Sequence, residues 1–176
     1  MADQEVTSVV LRSGERVCIR RLTPADAPLY RALIARLDAR SRQMRFFVGV
    51  RDLPGTVAHR LTHPDFDRHF AFLATRPGPD GSRDACGVVR LHVDETGTRG
   101  EVAVLVETAF QGRGLGYALI QHILEVARSK GLKSVDGLVL RENQTMLQLA
   151  EACGFHRRAD PDDPTVLRIS TRLDGD

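Results

Sequence analysis

The run Val104-Leu-Val-Glu-Thr-Ala-Phe-Gln-Gly-Arg-Gly-Leu-Gly116 joins an apolar strand to a glycine-rich turn, and the apolar positions Leu119, Ile123 and Val126 behind it recur at helical spacing. A strand running through such a turn into a helix sets a helix N-terminus at the end of that strand. The first amides of that helix have no partner within it, and its dipole favours negative charge there. Small residues at Gly112, Gly114 and Gly116 let the backbone approach a ligand, and Arg113 adds a cation. The turn therefore reads as a seat for a pyrophosphate. Its second reading is a tight strand-to-helix connection with no ligand. A Walker loop is excluded because Tyr117, not Lys, follows Gly116. A dinucleotide fingerprint needs its glycines after the first strand. Here several strands precede them, and Asp136, at the right distance for the acidic residue, lies inside a short apolar segment.

Length and charge bound the rest. The 176 residues suit one domain, and a net charge of +2 is too mild to predict a nucleic-acid partner. No stretch is apolar enough for a bilayer, and the N-terminus Met-Ala-Asp-Gln-Glu lacks a signal-peptide pattern, so the expectation is a cytoplasmic protein with no membrane association. Cys18, Cys86 and Cys153 form neither a disulfide framework nor a zinc pattern, and buried thiols are expected. His59 and His63 are four apart, but no glutamate-containing zinc motif surrounds them, and no metal is expected.

The element reading starts with a strand over Arg16 to Arg20. Thr23-Pro24-Ala25-Asp26 then offers an N-cap, a proline at the first helical position and an acid three residues on. Leu29, Leu33, Ile34 and Leu37 make one helical stripe, and a second, broken helix is expected over Ser41 to Val50 and Pro54 to Leu61. Strands follow at Phe70 to Thr75, Ala85 to Val93 and Glu101 to Val106, the last two joined as an antiparallel hairpin through Asp94 to Gly100. After the long helix come a strand over Val135 to Leu140, a helix over Asn143 to Ala152 and a strand over Val166 to Thr171. The N-terminal tail and the acidic loop Asp160 to Asp163 are expected outside this core.

Gln111-Gly-Arg-Gly-Leu-Gly116 matches the Gln/Arg-x-x-Gly-x-Gly signature of the GNAT acyltransferase superfamily, and the element order over about 17–171 is the order of its domains. The chain resembles a GNAT acetyltransferase. The resemblance implies a single α/β (α+β) domain: a mixed, mostly antiparallel central sheet with flanking helices and a splayed strand pair that holds acetyl-CoA. It implies that main-chain groups of Val104, Leu105 and Val106 meet the pantetheine arm. It places the pyrophosphate on Gln111, Gly112, Arg113, Gly114, Leu115, Gly116 and Tyr117, and further donor contacts at Asn143 and Met146. Asn143 has a second reading as a helix cap.

Glu101 matches the glutamate that heads this strand in many GNAT lysine acetyltransferases and is expected to be the general base. A lysine ammonium with an ordinary pKa near 10.4 must lose its proton before it attacks. The other reading of Glu101 is an exposed acid beside a hairpin; Glu107 is the runner-up base and is otherwise expected to be a solvated loop acid. A tyrosine common in the family as general acid is replaced by Ala150.

Leu11-Arg-Ser-Gly-Glu-Arg-Val17, Ile19-Arg20, Asp26-Ala-Pro28, Ser41-Arg42, Arg45-Phe-Phe47 and Asp67-Arg-His69 look like the acetyltransferase domain of Pat-type protein lysine acetyltransferases. Those enzymes also tend to lack the tyrosine. The expected acceptor is thus a protein lysine, for instance on an acyl-CoA synthetase, reached by a monomer or homodimer. Phe46 and Phe47, with Arg42, Arg45 and Arg51, are candidates to edge an open acceptor cleft, and the phenylalanines have a core-packing reading. The alternatives are a GNAT enzyme of small amines and a non-catalytic acyl-CoA-binding module.

Overall fold

A computed structural model describes residues 6–41 and 55–174. The expected helical segment over Ser41 to Val50 falls almost wholly outside these residues, as do Arg42, Met44, Arg45, Phe46, Phe47 and Arg51. Its continuation is present as helix α2, Gly55–Thr62.

The strands are β1 (Thr7–Val10), β2 (Arg16–Arg21), β3 (His69–Pro77), β4 (Arg83–Val93), β5 (Arg99–Val106), β6 (Ser134–Leu140), β7 (His156–Ala159) and β8 (Val166–Arg172). They form one sheet in the order β1-β2-β3-β4-β5-β6-β8-β7. Every neighbouring pair is antiparallel except β5 and β6, which run parallel. The N-terminal segment is a correction: part of the expected tail is β1, hydrogen-bonded along β2. β7, which precedes the acidic loop, also exceeds the expected set.

Two helices cover the sheet from opposite sides. Thr23 caps a short 3-10 turn, Pro24–Asp26, that leads into α1, Ala27–Arg36. The Asp26 carboxylate accepts from the Thr23 amide at 2.9 Å and takes both ends of the Arg20 guanidinium at 2.8 Å. Tyr30, Leu33 and Ile34 of α1 then bury against Ala71, Leu73, Val88 and Leu105. On the other face lies α3, Leu115–Ser129, whose Leu115, Leu119, Ile120, Ile123, Leu124 and Ala127 are buried at helical spacing. Each such aliphatic side chain contributes roughly 1.5–3 kcal/mol on leaving water, so this stripe seats the helix firmly.

Side-chain alternation fixes which strand residues face which helix. A Cβ at Gly87 would strike Leu119 and Leu115 of α3. Its partner Val106 therefore points to α3 with Val104 and Val102, while Leu105, Ala103 and Glu101 point to the α1 side.

Candidate active site

β5 and β6 pair only at Arg99↔Ser134, Gly100↔Val135 and Glu101↔Asp136. Beyond Glu101 the strands part, with β5 continuing to Val106 and β6 to Leu140. On its β4 side, β5 stays paired up to Val106 opposite Gly87. On its β6 side, the main chain of Val102 to Val106 faces a cleft of about 760 Å³ instead of a strand. Buried peptide groups need partners, so this open edge is suited to a ligand with alternating amide donors and acceptors.

The glycine turn closes one end of the cleft. Gly112 and Gly114 have φ of +77° and +93°, a left-handed geometry that glycine adopts without strain. Gly114 is the N-cap of α3, and Ala118 is the first helix amide with a partner, Gly114 O at 3.1 Å. The amides of Leu115, Gly116 and Tyr117 precede it without helix partners, which forms a seat suited to an anion. A Cβ at Gly116 would lie 2.8 Å from Leu149 Cδ2, so the missing side chain also lets α3 meet helix α4, Gln144–Ala152.

The structure brings most of the expected residues together. Glu101, Val104, Leu105 and Val106 line the cleft from β5; Gln111, Gly112, Gly114, Gly116 and Tyr117 from the turn; Asn143 and Met146 from the start of α4. Gln111 Nε2 donates to Val106 O at 3.3 Å, fastening the turn to the strand end. Two residues sit differently. The Leu115 side chain is fully buried in the core, leaving only its main chain for a ligand. Arg113 is turned to Glu15 at 3.4 Å and over the Phe110 ring at 5.2 Å.

Asn143 caps α4, its Oδ1 accepting from Met146 N at 3.1 Å, and faces the cleft as well. Ala150 is wholly buried, so no side chain there reaches the cleft. Glu107 is a correction. It is not a solvated loop acid but is 6% exposed, and Arg36 Nε donates to its Oε1 at 2.9 Å. Arg36 also donates to Ala85 O, tying the end of α1 to β4 and to the segment ahead of the turn.

Sequence reasoning gave no role to Arg12. It follows β1, its main-chain amide bonds to Arg113 O at 3.2 Å, and its side chain lies 3.9 Å from the position a Gly114 Cβ would take. It brings a guanidinium to the mouth of the anion seat. Only the unforeseen β1 places it there. Arg90 was also missed: it is buried on the α1 side of β4, its Cζ 5.3 Å from the Tyr30 ring centroid. The Tyr30 hydroxyl favours the charged guanidinium, yet neither group makes a hydrogen bond of ordinary geometry, and desolvation pushes the Arg90 pKa down.

The thiols and the paired histidines take no part in this cleft. Burial, then the Glu107 charge, pushes the Cys86 thiol up to about 12, which leaves it unreactive at neutral pH. His59 and His63 stack at 3.8 Å between ring centroids, and the described residues contain no group of three or more His, Cys, Asp or Glu able to hold a metal.

A splayed parallel pair beside a glycine-rich helix start agrees with the sequence comparison. The pattern of the Acetyltransferase (GNAT) family matches residues 45–155. The chain belongs to the GNAT family of acetyltransferases. Acetyltransferase PA5475 of Pseudomonas aeruginosa is 30% identical over 157 residues, 89% of this chain and 84% of that protein. The crystal structure of the GNAT domain of S. lividans PAT superposes with a TM-score of 0.85 at 28% identity, over 95% of this chain and 96% of that one. A spermidine N-acetyltransferase from Vibrio cholerae, in complex with CoA and spermine, gives 0.68 at 16% identity over 89% and 95%, a likeness of fold alone. Among the described residues no helix is long and apolar enough to cross a membrane.

Proposed function

We propose that this GNAT enzyme transfers acetyl from acetyl-CoA to the ε-amine of a lysine on a protein, with Glu101 as general base. The supporting observation is the likeness to the PAT GNAT domain, which extends over almost the whole of both chains. The donor is assigned by fit: the open edge of Val104 to Val106 suits the amides of a pantetheine arm, and the amides of 115–117 with Arg12 suit its pyrophosphate. Asn143 and Met146 flank the same arm from α4. Glu101 stands where β5 and β6 part, exposed on the α1 side, so an incoming amine meets a carboxylate at the thioester end of the cleft. With Ala150 in the core, the thiolate leaves unaided or takes its proton from water, consistent with a thiol pKa near 8.5.

A macromolecular acceptor, of which an acyl-CoA synthetase is our first candidate, requires this cleft to open on the surface; we place the reaction in the cytoplasm. The test is to incubate the enzyme with labelled acetyl-CoA and a lysate of its own cell and identify labelled species by mass spectrometry. Lysine labelling that disappears with Glu101→Gln is expected. Label on small amines alone would overturn the protein acceptor, and no label would point to a binding module.

A further inference from the structure

Four titratable side chains stand in one row across the sheet on the α1 side. The registers set His69 of β3 opposite His92 of β4, His92 opposite Glu101 of β5, and Glu101 opposite Asp136 of β6. Directly opposed residues in antiparallel strands have Cβ atoms roughly 4.5–5.5 Å apart, within reach of an imidazole and a carboxylate. All four line a second cavity of about 500 Å³, and Glu101 is the residue that this cavity shares with the donor cleft. The base thus stands at the junction of two spaces, one suited to the thioester and one lined by histidines.

From this geometry we propose that His92 accepts the proton collected by Glu101 and delivers it to solvent through the second cavity. The proposal rests on the reading of Glu101 as general base. The acceptor arrives as an ammonium and loses two protons as its nitrogen lone pair forms the bond to the carbonyl carbon and the C–S pair departs on sulfur. One proton ends on the thiolate, giving CoA thiol. The other goes to Glu101 and must leave before the next turnover. An acceptor bound with its amine at Glu101 covers that carboxylate, whereas His92, exposed on the neighbouring strand, keeps a route to water. An imidazole takes up a proton on one ring nitrogen while it can release one from the other, which suits a relay between a carboxylate and water. His92 acts through Glu101 and is a positioning residue for the proton, not a group that touches substrate.

The surrounding groups leave His92 as the exit. Burial, then the charges of Arg90 and His92, pushes the His69 pKa down, with Asp65 opposing and Arg60 of α2 adding to the effect. His69 is therefore kept neutral and does not carry the proton onward. Asp136 lies 4.0 Å from Arg99, which also pairs with Asp94 at 3.8 Å. Asp65 is engaged by the amides of Asp67, Arg68 and His69, and Arg68 reaches Val93 O at 3.5 Å. Glu95 completes the rim.

Proton NMR titration of the imidazoles reads the coupling in the protein alone. His92, identified by the signal missing from His92→Gln, is expected to titrate at a lower pH in Glu101→Gln than in the parent, because the carboxylate on the opposed residue no longer favours the imidazolium. An unchanged midpoint overturns the proposal. In thiol-release assays with lysine-containing peptides, His92→Ala is expected to lose about tenfold in kcat at neutral pH, to keep its KM for acetyl-CoA and to recover with added imidazole. Full activity, or a loss that imidazole does not relieve, overturns the relay. Glu101→Gln in the same assay separates the two readings. If it is fully active the base is misassigned; if it is inactive while His92→Ala is fully active, only the relay falls.

Discussion

Removing Arg36 should loosen the donor seat from behind. Arg36 Nε meets Glu107 Oε1 at 2.9 Å, and the Glu107 side chain is 8% exposed, so Arg36→Ala leaves a carboxylate buried without its cation. Breaking a fully buried pair from one side costs about 3–5 kcal/mol. The Arg36 side chain is 35% exposed, so water screens the pair and partly solvates the survivor. A loss of about 2–3 kcal/mol follows, equivalent to roughly 4–12 °C in Tm for a chain of this length. The partner change Glu107→Gln should cost less, about 1–2 kcal/mol, because the guanidinium left behind can turn to solvent. The double variant should lose less than the sum of the two, with a coupling of about 1 kcal/mol or more in a double-mutant cycle by urea denaturation. Because the pair holds the segment ahead of the glycine turn, acetyl-CoA affinity should fall with stability in Arg36→Ala. A coupling below about 0.3 kcal/mol, within the scatter of additive sites, would refute the clamp.

Gly114→Glu places a side chain at a φ of +93° and an anion in the proposed pyrophosphate seat, so calorimetry should show acetyl-CoA binding lost from a folded protein. Asn143→Ala should cost about 1 kcal/mol by removing the cap, whereas Asn143→Ser should keep stability and still weaken acetyl-CoA binding if the carboxamide also holds the donor. Burial opposes ionisation of Asp26, but the bonds from Arg20 and Thr23 outweigh it and hold the carboxyl below its usual range. Its contribution is therefore present above the ordinary pKa of about 3.9 and is lost as pH falls through the lower folded value. In thermal melts from pH 7 to 2, the advantage of the parent over Asp26→Asn should shrink only below about pH 4.

What the sequence disclosed follows from where the signal was local. The strand, turn and helix around Gly114 are contiguous, and the stripe from Leu115 to Ala127 has helical spacing, so both could be read directly. β1 could not, because Thr7 to Val10 are mostly exposed and show no alternation; they are ordered by pairing with β2. β7, His-Arg-Arg-Ala, is exposed at every position and likewise depends on its neighbour. The site divides in the same way. The strand and turn that line the cleft are contiguous from Val104 to Gly116, whereas Asn143 and Met146 come from α4 and Arg12 arrives through the β1–β2 connection. Glu107 looked solvated because its cation lies 71 positions away on α1. His69, His92, Glu101 and Asp136 are scattered in the chain, and register alone makes them a row.

The proposed mechanism requires Glu101 to be the base and not part of the donor seat. The direct measurement is acetyl-CoA binding and turnover for the parent and Glu101→Gln side by side. Calorimetry should give the same affinity for both, because the proposed donor contacts are the β5 and glycine-turn main chain, Arg12, Asn143 and Met146 and do not include the Glu101 carboxylate, while turnover falls by roughly a hundredfold to ten-thousandfold and recovers partly at high pH. Equal turnover at neutral pH, or a loss of donor affinity that matches the loss of rate, would contradict it.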